Sequence, residues 1–215
     1  MHLDILANID RSCFGKIAEK LMNHYCVVKR DSRDGCNVIY RLAEIEFYLY
    51  DSETPEMDIG TYNRDCKCME WFFHRSGVDI AFETRCRGNE LTKFGGILIR
   101  GIEIYRRDKH EHWQHVGVVG GSLLSMFEIF NHCIGVPELV NLPSEMKRVR
   151  EIRVTSRIGI KDKEPQRFVF NDVDWNMETE RIAERKDNDG NYRVVREISS
   201  KKYIPKPLYD YGLSM

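Results

Sequence analysis

Apolar and polar positions along this chain follow two rhythms, one of about 3.6 residues and one of two. Between residues 10 and 25, Phe14, Ile17, Ala18, Leu21, Met22 and Tyr25 recur at helical spacing, with Lys16, Glu19, Lys20 and Asn23 opposite. That pattern predicts an amphipathic helix whose start Asp10 or Ser12 can cap. A strand is expected at Cys26–Arg30, a hairpin turn at Asp31–Gly35, and a return strand from Val38 to Tyr48. Residues 51–65 are polar, include Pro55 and Gly60, and read as a surface loop. Met69–His74 and Val78–Phe82 read as strands joined at Arg75-Ser76-Gly77, and Gly95–Tyr105 as a buried strand interrupted by Arg100. Arg106–His115 reads as a charged loop or hairpin end. Gly120-Gly121-Ser122 precedes a second amphipathic helix with Leu123, Leu124, Phe127 and Phe130 on its apolar side. Strands are expected within Val149–Ile160 and Gln166–Phe170, and a terminal hairpin over 178–198 turns at Asp187–Asn191.

One stretch sets a chemical problem. In Tyr40–Tyr50, YRLAEIEFYLY, alternation puts Leu42, Glu44 and Glu46 on one face, continued by Tyr48, and Ala43, Ile45 and Phe47 on the other. A carboxylate between Ile45 and Phe47 is costly to bury without a partner or a task, whereas on an edge strand it simply faces water. Arg100 is a cation in an otherwise apolar strand and needs a buried carboxylate, which Glu46 or Glu44 can supply.

Composition narrows the setting. The 215 residues suffice for one core, so a single α+β domain over 1–200 is expected, a mostly antiparallel mixed sheet with flanking helices, followed by a tail over 201–215. Seven cysteines, an odd number, fit reduced thiols in a cytoplasmic protein. Cys66-x-Cys68 has no second pair, so no structural zinc and no cofactor is expected. The first residues, MHLDILANID, are acidic where a signal peptide is basic, and no apolar run approaches the roughly 18 residues of a membrane helix. With 33 basic and 34 acidic residues, the net charge of −1 argues against an unusually basic nucleic-acid binder but leaves a local basic face open. Arg85, Arg87, Lys93, Arg153 and Arg157 form either such a rim or scattered solvated charges. His110, His112 and His115 read as a charged loop or, less simply, a metal-binding pair. His74-Arg75 is a phosphate contact or a solvent-facing strand end. Gly121 and Ser122 open a helix as an anion site or as an ordinary cap.

The order of these segments resembles the alkyladenine (3-methyladenine) DNA glycosylase family. Four pieces carry the likeness, in order between Ile17 and Phe168. Ile17–Leu49 is similar to that family's N-terminal helix, hairpin and V-E-T-E-A-Y-L signature, with Glu44-x-Glu46-x-Tyr48-Leu49 in register. Gly96–Glu103, GILIRGIE, is similar to V-L-I-R-A-L-E. Gly120–Leu124 resembles G-P-x-x-L at a helix start, and Ser156–Ile160 with Gln166-Arg167-Phe168 resembles R-V-G-V followed by a strand ending in R-F.

The resemblance implies a 3-methyladenine DNA glycosylase-like fold and hydrolysis of an N-glycosidic bond without metal. Glu46 would be the general base for water, with Arg100 beside it, and Tyr48 would be a wall stacking on an extruded base. Aligned on Gly77, the second wall falls at Phe73, the duplex wedge at Ser76 with Arg75 beside it, and the position discriminating among bases at Glu83. The family histidine after the acidic strand has no clear match, Asp58 and Tyr62 being the nearest polar groups. His74 approaches the same pocket, and Gly121, Ser122 and Arg157 take DNA-contact positions. A serine cannot fill the gap left by a flipped base, and a carboxylate at residue 83 accepts hydrogen bonds from exocyclic amines. Two readings follow: a divergent glycosylase acting on alkylated purines in DNA, or a non-catalytic protein that keeps the pocket for a nucleoside-like small molecule.

Overall fold

The structure, a computed structural model, describes residues 6, 9–54, 60–157 and 166–173, with the backbone of 179–186 and 192–199. Its elements are α1 (Phe14–His24), β1 (Tyr25–Arg30), β2 (Asn37–Asp51), β3 (Trp71–His74), β4 (Gly77–Ala81), β5 (Arg85–Arg87) and β6 (Glu90–Arg107). They continue with β7 (Trp113–Gly120), α2 (Ser122–Phe130), β8 (Glu138–Asn141), β9 (Ile152–Thr155), β10 (Arg167–Phe170), β11 (Thr179–Lys186) and β12 (Tyr192–Ser199).

Ten strands make one sheet whose main path runs β3-β4-β6-β2-β1-β8. Strands β5 and β7 pair with the two ends of β6, and β10 links β2 to β9. Every described pairing is antiparallel, so the sheet is not mixed, and the architecture is α+β. Strands β11 and β12 form a separate hairpin, where the terminal hairpin was expected. Its turn at 187–191, Pro55, Asp58, residues 158–160 and the tail over 201–215 lie outside the described residues.

The long strand β2 is central because both its faces are apolar enough to bury: Val38 through Phe47 are all buried. Phe47 stacks on Phe14 of α1 with ring centroids 4.4 Å apart and meets Phe168 of β10 edge-on at 5.3 Å. Residues from both helices join one hydrophobic cluster, including Ile17 and Leu21 from α1 and Ile129 from α2. Asp10 caps the 3-10 turn before α1 by accepting from the Ser12 amide at 2.8 Å.

Two compensating irregularities interrupt the β2–β6 ladder. Leu42 pairs with Ile102 and Glu44 with Gly101, leaving Ala43 as an extra residue; Glu44 and Ile45 then pair with Gly101 and Ile99, leaving Arg100 extra. Bulges re-aim side chains and shift the phase of alternation. Leu42 and Glu44 therefore do not share an unbroken face, and Leu42 joins the hydrophobic cluster.

The chain also departs from its periodicity elsewhere. Strand β6 extends well beyond Gly95–Tyr105 at both ends, and β7 occupies residues read in part as a charged loop. Helix α2 buries Ser125 and Ile129, while Leu123 and Phe127 are about half exposed, so its buried face is not the expected apolar one. Polar anchors set its rotation. Ser125 Oγ donates to the Arg100 carbonyl at 3.2 Å. Buried Lys29 donates to the Glu128 and Asn131 carbonyls at 2.6 and 3.0 Å, which satisfies the helix C-terminus and complements its dipole.

Candidate functional site

The two glutamates of β2 lie in a closed cluster with two arginines. Glu44 and Glu46 are fully buried, as is Arg167 of β10. Arg100 Nε reaches Glu44 Oε1 at 3.0 Å and Glu46 Oε1 at 3.3 Å. Arg167 Nε donates to Glu44 Oε1 at 2.7 Å and stands 3.7 Å from Glu46 Oε1. The Tyr48 hydroxyl donates to Glu46 Oε2 at 2.9 Å. Burial and the adjacent Glu46 charge push the Tyr48 phenol far above its ordinary value, so it holds its proton at neutral pH. Each carboxylate faces a guanidinium, the condition under which such burial is tolerable.

Beside this cluster lies a cavity of about 210 Å³, lined by Tyr48 of β2, Leu98 of β6, His74 and Asp79 of the β3–β4 hairpin, and Gly60, Tyr62, Arg64 and Ser76. Its floor is a second buried ion pair. Arg64 Nη1 donates to Asp79 Oδ2 at 2.6 Å, and the guanidinium lies 4.0 Å from the Phe72 ring centroid. Gly96 of β6 makes room for this pair, because a Cβ there would come within 2.6 Å of Arg64 Nη1 and 2.9 Å of Asp79 Cβ. His74 Nε2 stands 3.0 Å from Asp79 Oδ1, and its Nδ1 accepts from the Ser76 amide at 3.2 Å. Since Nδ1 is the acceptor, the imidazole proton sits on Nε2 and is donated to Asp79.

The mouth is built from the loop before β3 and the hairpin turn. The Tyr62 ring lies 4.7 Å from the His74 ring, and its hydroxyl accepts from Arg75 Nε at 2.8 Å and meets Ser76 Oγ at 3.3 Å. Hydrogen bonds with Ser76 and Arg75 lower the Tyr62 phenol from its ordinary value. Gly77 has φ of 142°, and a Cβ there would stand 3.0 Å from Ser122 Cβ, so the start of α2 packs on this turn.

The expected site residues divide accordingly. Glu46, Arg100 and Tyr48 do come together, and Tyr62, His74 and Ser76 join Tyr48 around the cavity. Arg75 lies at the mouth, and Gly121 and Ser122 lie close behind the turn. Phe73 is displaced: the pairing of His74 with Gly77 points its neighbour to the other face, where Phe73 is 53% exposed and packs edge-on against Phe130. Glu83 is exposed beyond the end of β4, accepts from the Cys68 amide at 2.7 Å and does not line the cavity. Arg157 is buried, donates to the Phe47 carbonyl at 3.1 Å and lies 4.6 Å from the Tyr48 ring centroid; it is a prop for Tyr48 and no surface contact. The basic rim dissolves likewise, since Arg87 pairs with Glu53 and Lys93 with Asp51. His110 and His112 are exposed, their ring centroids 6.4 Å apart.

Arg64 and Asp79 were missed as site residues. Arg64 carries no signal within a polar loop. Asp79 does: a hairpin turning at Arg75-Ser76 pairs residue 74 with 77 and 72 with 79, which places Asp79 on the face of His74. No family model matches the chain, and no curated protein matches it in sequence. Among the described residues, no helix is long and apolar enough to cross a membrane.

Proposed function

We propose that this protein binds a planar, purine-like base or nucleoside in the Tyr48–Tyr62–His74 cavity, on a divergent scaffold of the alkyladenine DNA glycosylase type. Glu46 then acts within the buried charge cluster that fixes Tyr48 and does not activate water. The observation that carries this reading is the double engagement of Tyr48. Its ring lines the cavity while its hydroxyl is spent on Glu46, whose carboxylate has no exposed surface. The cavity is smaller than the roughly 300–1,000 Å³ typical of drug-sized ligands, and suits a single fused-ring system. Tyr48 and Tyr62 offer aromatic surface, and stacking on such surface is worth roughly 1–3 kcal/mol per base.

A second reading, hydrolysis of an N-glycosidic bond by water on Glu46, is favoured by one fact. The Tyr48 side chain both lines the cavity and bonds Glu46, with Arg100 beside that carboxylate. Calorimetric titration with bases and nucleosides, run beside chromatographic assay of base release from alkylated DNA and nucleosides, separates the two. Saturable binding without release, retained in Glu46→Gln, supports the binding protein. Release that falls by about 10²-fold or more in Glu46→Gln establishes the hydrolase instead. Neither binding nor release overturns both.

A further inference from the structure

Several groups of the cavity wall are already engaged with one another, and this shapes what the ligand must bring. Tyr48 gives its proton to Glu46, so toward the cavity its oxygen is an acceptor only. His74 gives Nε2–H to Asp79 and has its Nδ1 lone pair filled by the Ser76 amide, so it offers nothing further. Asp79, with only 1% of its surface exposed, receives one hydrogen bond on each oxygen. An ionised carboxylate has about four acceptor sites, so two remain. Tyr62 and Ser76 share one hydroxyl contact, and Tyr62 already accepts from Arg75. Arg64 spends Nε on the Tyr62 carbonyl and one Nη1 hydrogen on Asp79, two of the five N–H donors of its guanidinium. The strongest acceptor lining the cavity therefore belongs to a buried anion, with the remaining Arg64 donors beside it.

From this we infer that Asp79 is the specificity residue of the cavity and selects aromatic heterocycles bearing an amino group, whose N–H donates to the carboxylate while the ring stacks on Tyr48. This rests on the base-binding reading and adds the donor pattern of the ligand. An amine satisfies the open acceptor sites of Asp79. A ring without a donor forgoes that hydrogen bond to a charged group. The Arg64–Asp79 pair and the His74 contact hold the carboxylate in place, so it cannot turn away from a ligand of the wrong kind.

The test is calorimetric titration of the wild-type full chain with 9-methyladenine and 9-methylpurine, which differ only in the exocyclic amine. We expect 9-methyladenine to bind at least about tenfold more tightly, as loss of one hydrogen bond to a charged group implies. In Asp79→Asn the ratio of the two affinities shrinks by about tenfold. Equal affinity of the two compounds for the wild-type protein overturns the assignment and leaves base binding standing. No binding of either overturns the base-binding reading and this inference with it. Asp79→Asn leaves Arg64 without its anion; should that variant fail to fold, the wild-type comparison still decides.

Discussion

Gly96 and Arg167 each hold a buried ion pair to a geometry that no other side chain permits. At Gly96 a Cβ would meet Arg64 Nη1 at 2.6 Å, Asp79 Cβ at 2.9 Å and the Ile80 carbonyl oxygen at 3.0 Å. Gly96→Ala forces Arg64 off Asp79, and overpacking of this kind costs roughly 1–3 kcal/mol. Urea denaturation should show that loss, and ligand affinity at the cavity should fall with it; an unchanged midpoint would mean that Arg64 swings aside freely. At residue 167 the argument concerns charge. Arg167→Met removes one guanidinium from beside the fully buried Glu44 and Glu46, and breaking a buried pair from one side costs about 3–5 kcal/mol. Equilibrium unfolding at neutral pH measures it. A loss under 1 kcal/mol would show that the cluster takes up a proton in place of the missing cation.

The elements differ in how plainly the sequence announces them, and the reasons are physical. Helix α1, the β1–β2 hairpin, the β3–β4 hairpin and the core of β6 follow from periodicity, because each buries a regular set of apolar positions. Strand β7 does not, since its first half exposes Gln114, His115 and Val116 and owes its conformation to pairing with β6. The bulges at Ala43 and Arg100 carry no compositional mark, yet they decide that Arg100 aims at both glutamates. Phase is the other hidden variable. Alignment on Gly77 nominated Phe73 for the pocket, whereas strand pairing turns His74 inward, and the two differ by one residue. The joined ends of β2 and β6 give an element-scale prediction. Asp51 opposes Lys93 in the ladder, with their charged atoms 2.8 Å apart. Burial works to raise the Asp51 carboxyl, but hydrogen bonds from Lys93 and the Glu53 amide outweigh it and hold it below its ordinary value. A lowered carboxylate stabilises the fold above its unfolded value, near pH 4, and that contribution fades as pH falls through the folded value. Asp51→Asn should therefore cost about 0.5–1 kcal/mol at neutral pH, with the difference from wild type fading as pH falls through the lowered folded value. A difference that persists in acid would assign the effect to packing.

Across the whole molecule, charge is abundant but spent internally. Arg64, Arg100, Arg106, Arg150 and Arg167 each pair with carboxylates that are buried or nearly so, including Asp31, Asp79 and Glu103. The cations nearest a duplex-sized surface, Arg87 and Lys93, face Glu53 and Asp51. Duplex recognition draws its affinity from cations free to displace condensed counterions, and steepens with each phosphate neutralised. With 33 basic against 34 acidic residues overall, little cationic surplus remains for that purpose. The protein should therefore bind a short labelled duplex more weakly than about 100 µM at about 150 mM salt, with a shallow salt dependence. Fluorescence anisotropy over a salt series measures both quantities. Submicromolar affinity with a steep slope would move the ligand from a free heterocycle back to a base held in DNA, and would require a cationic face formed beyond the described residues. Weak, salt-insensitive binding of the duplex alongside saturable binding of 9-methyladenine would instead assign the cavity to a small molecule, with the arginines holding its walls.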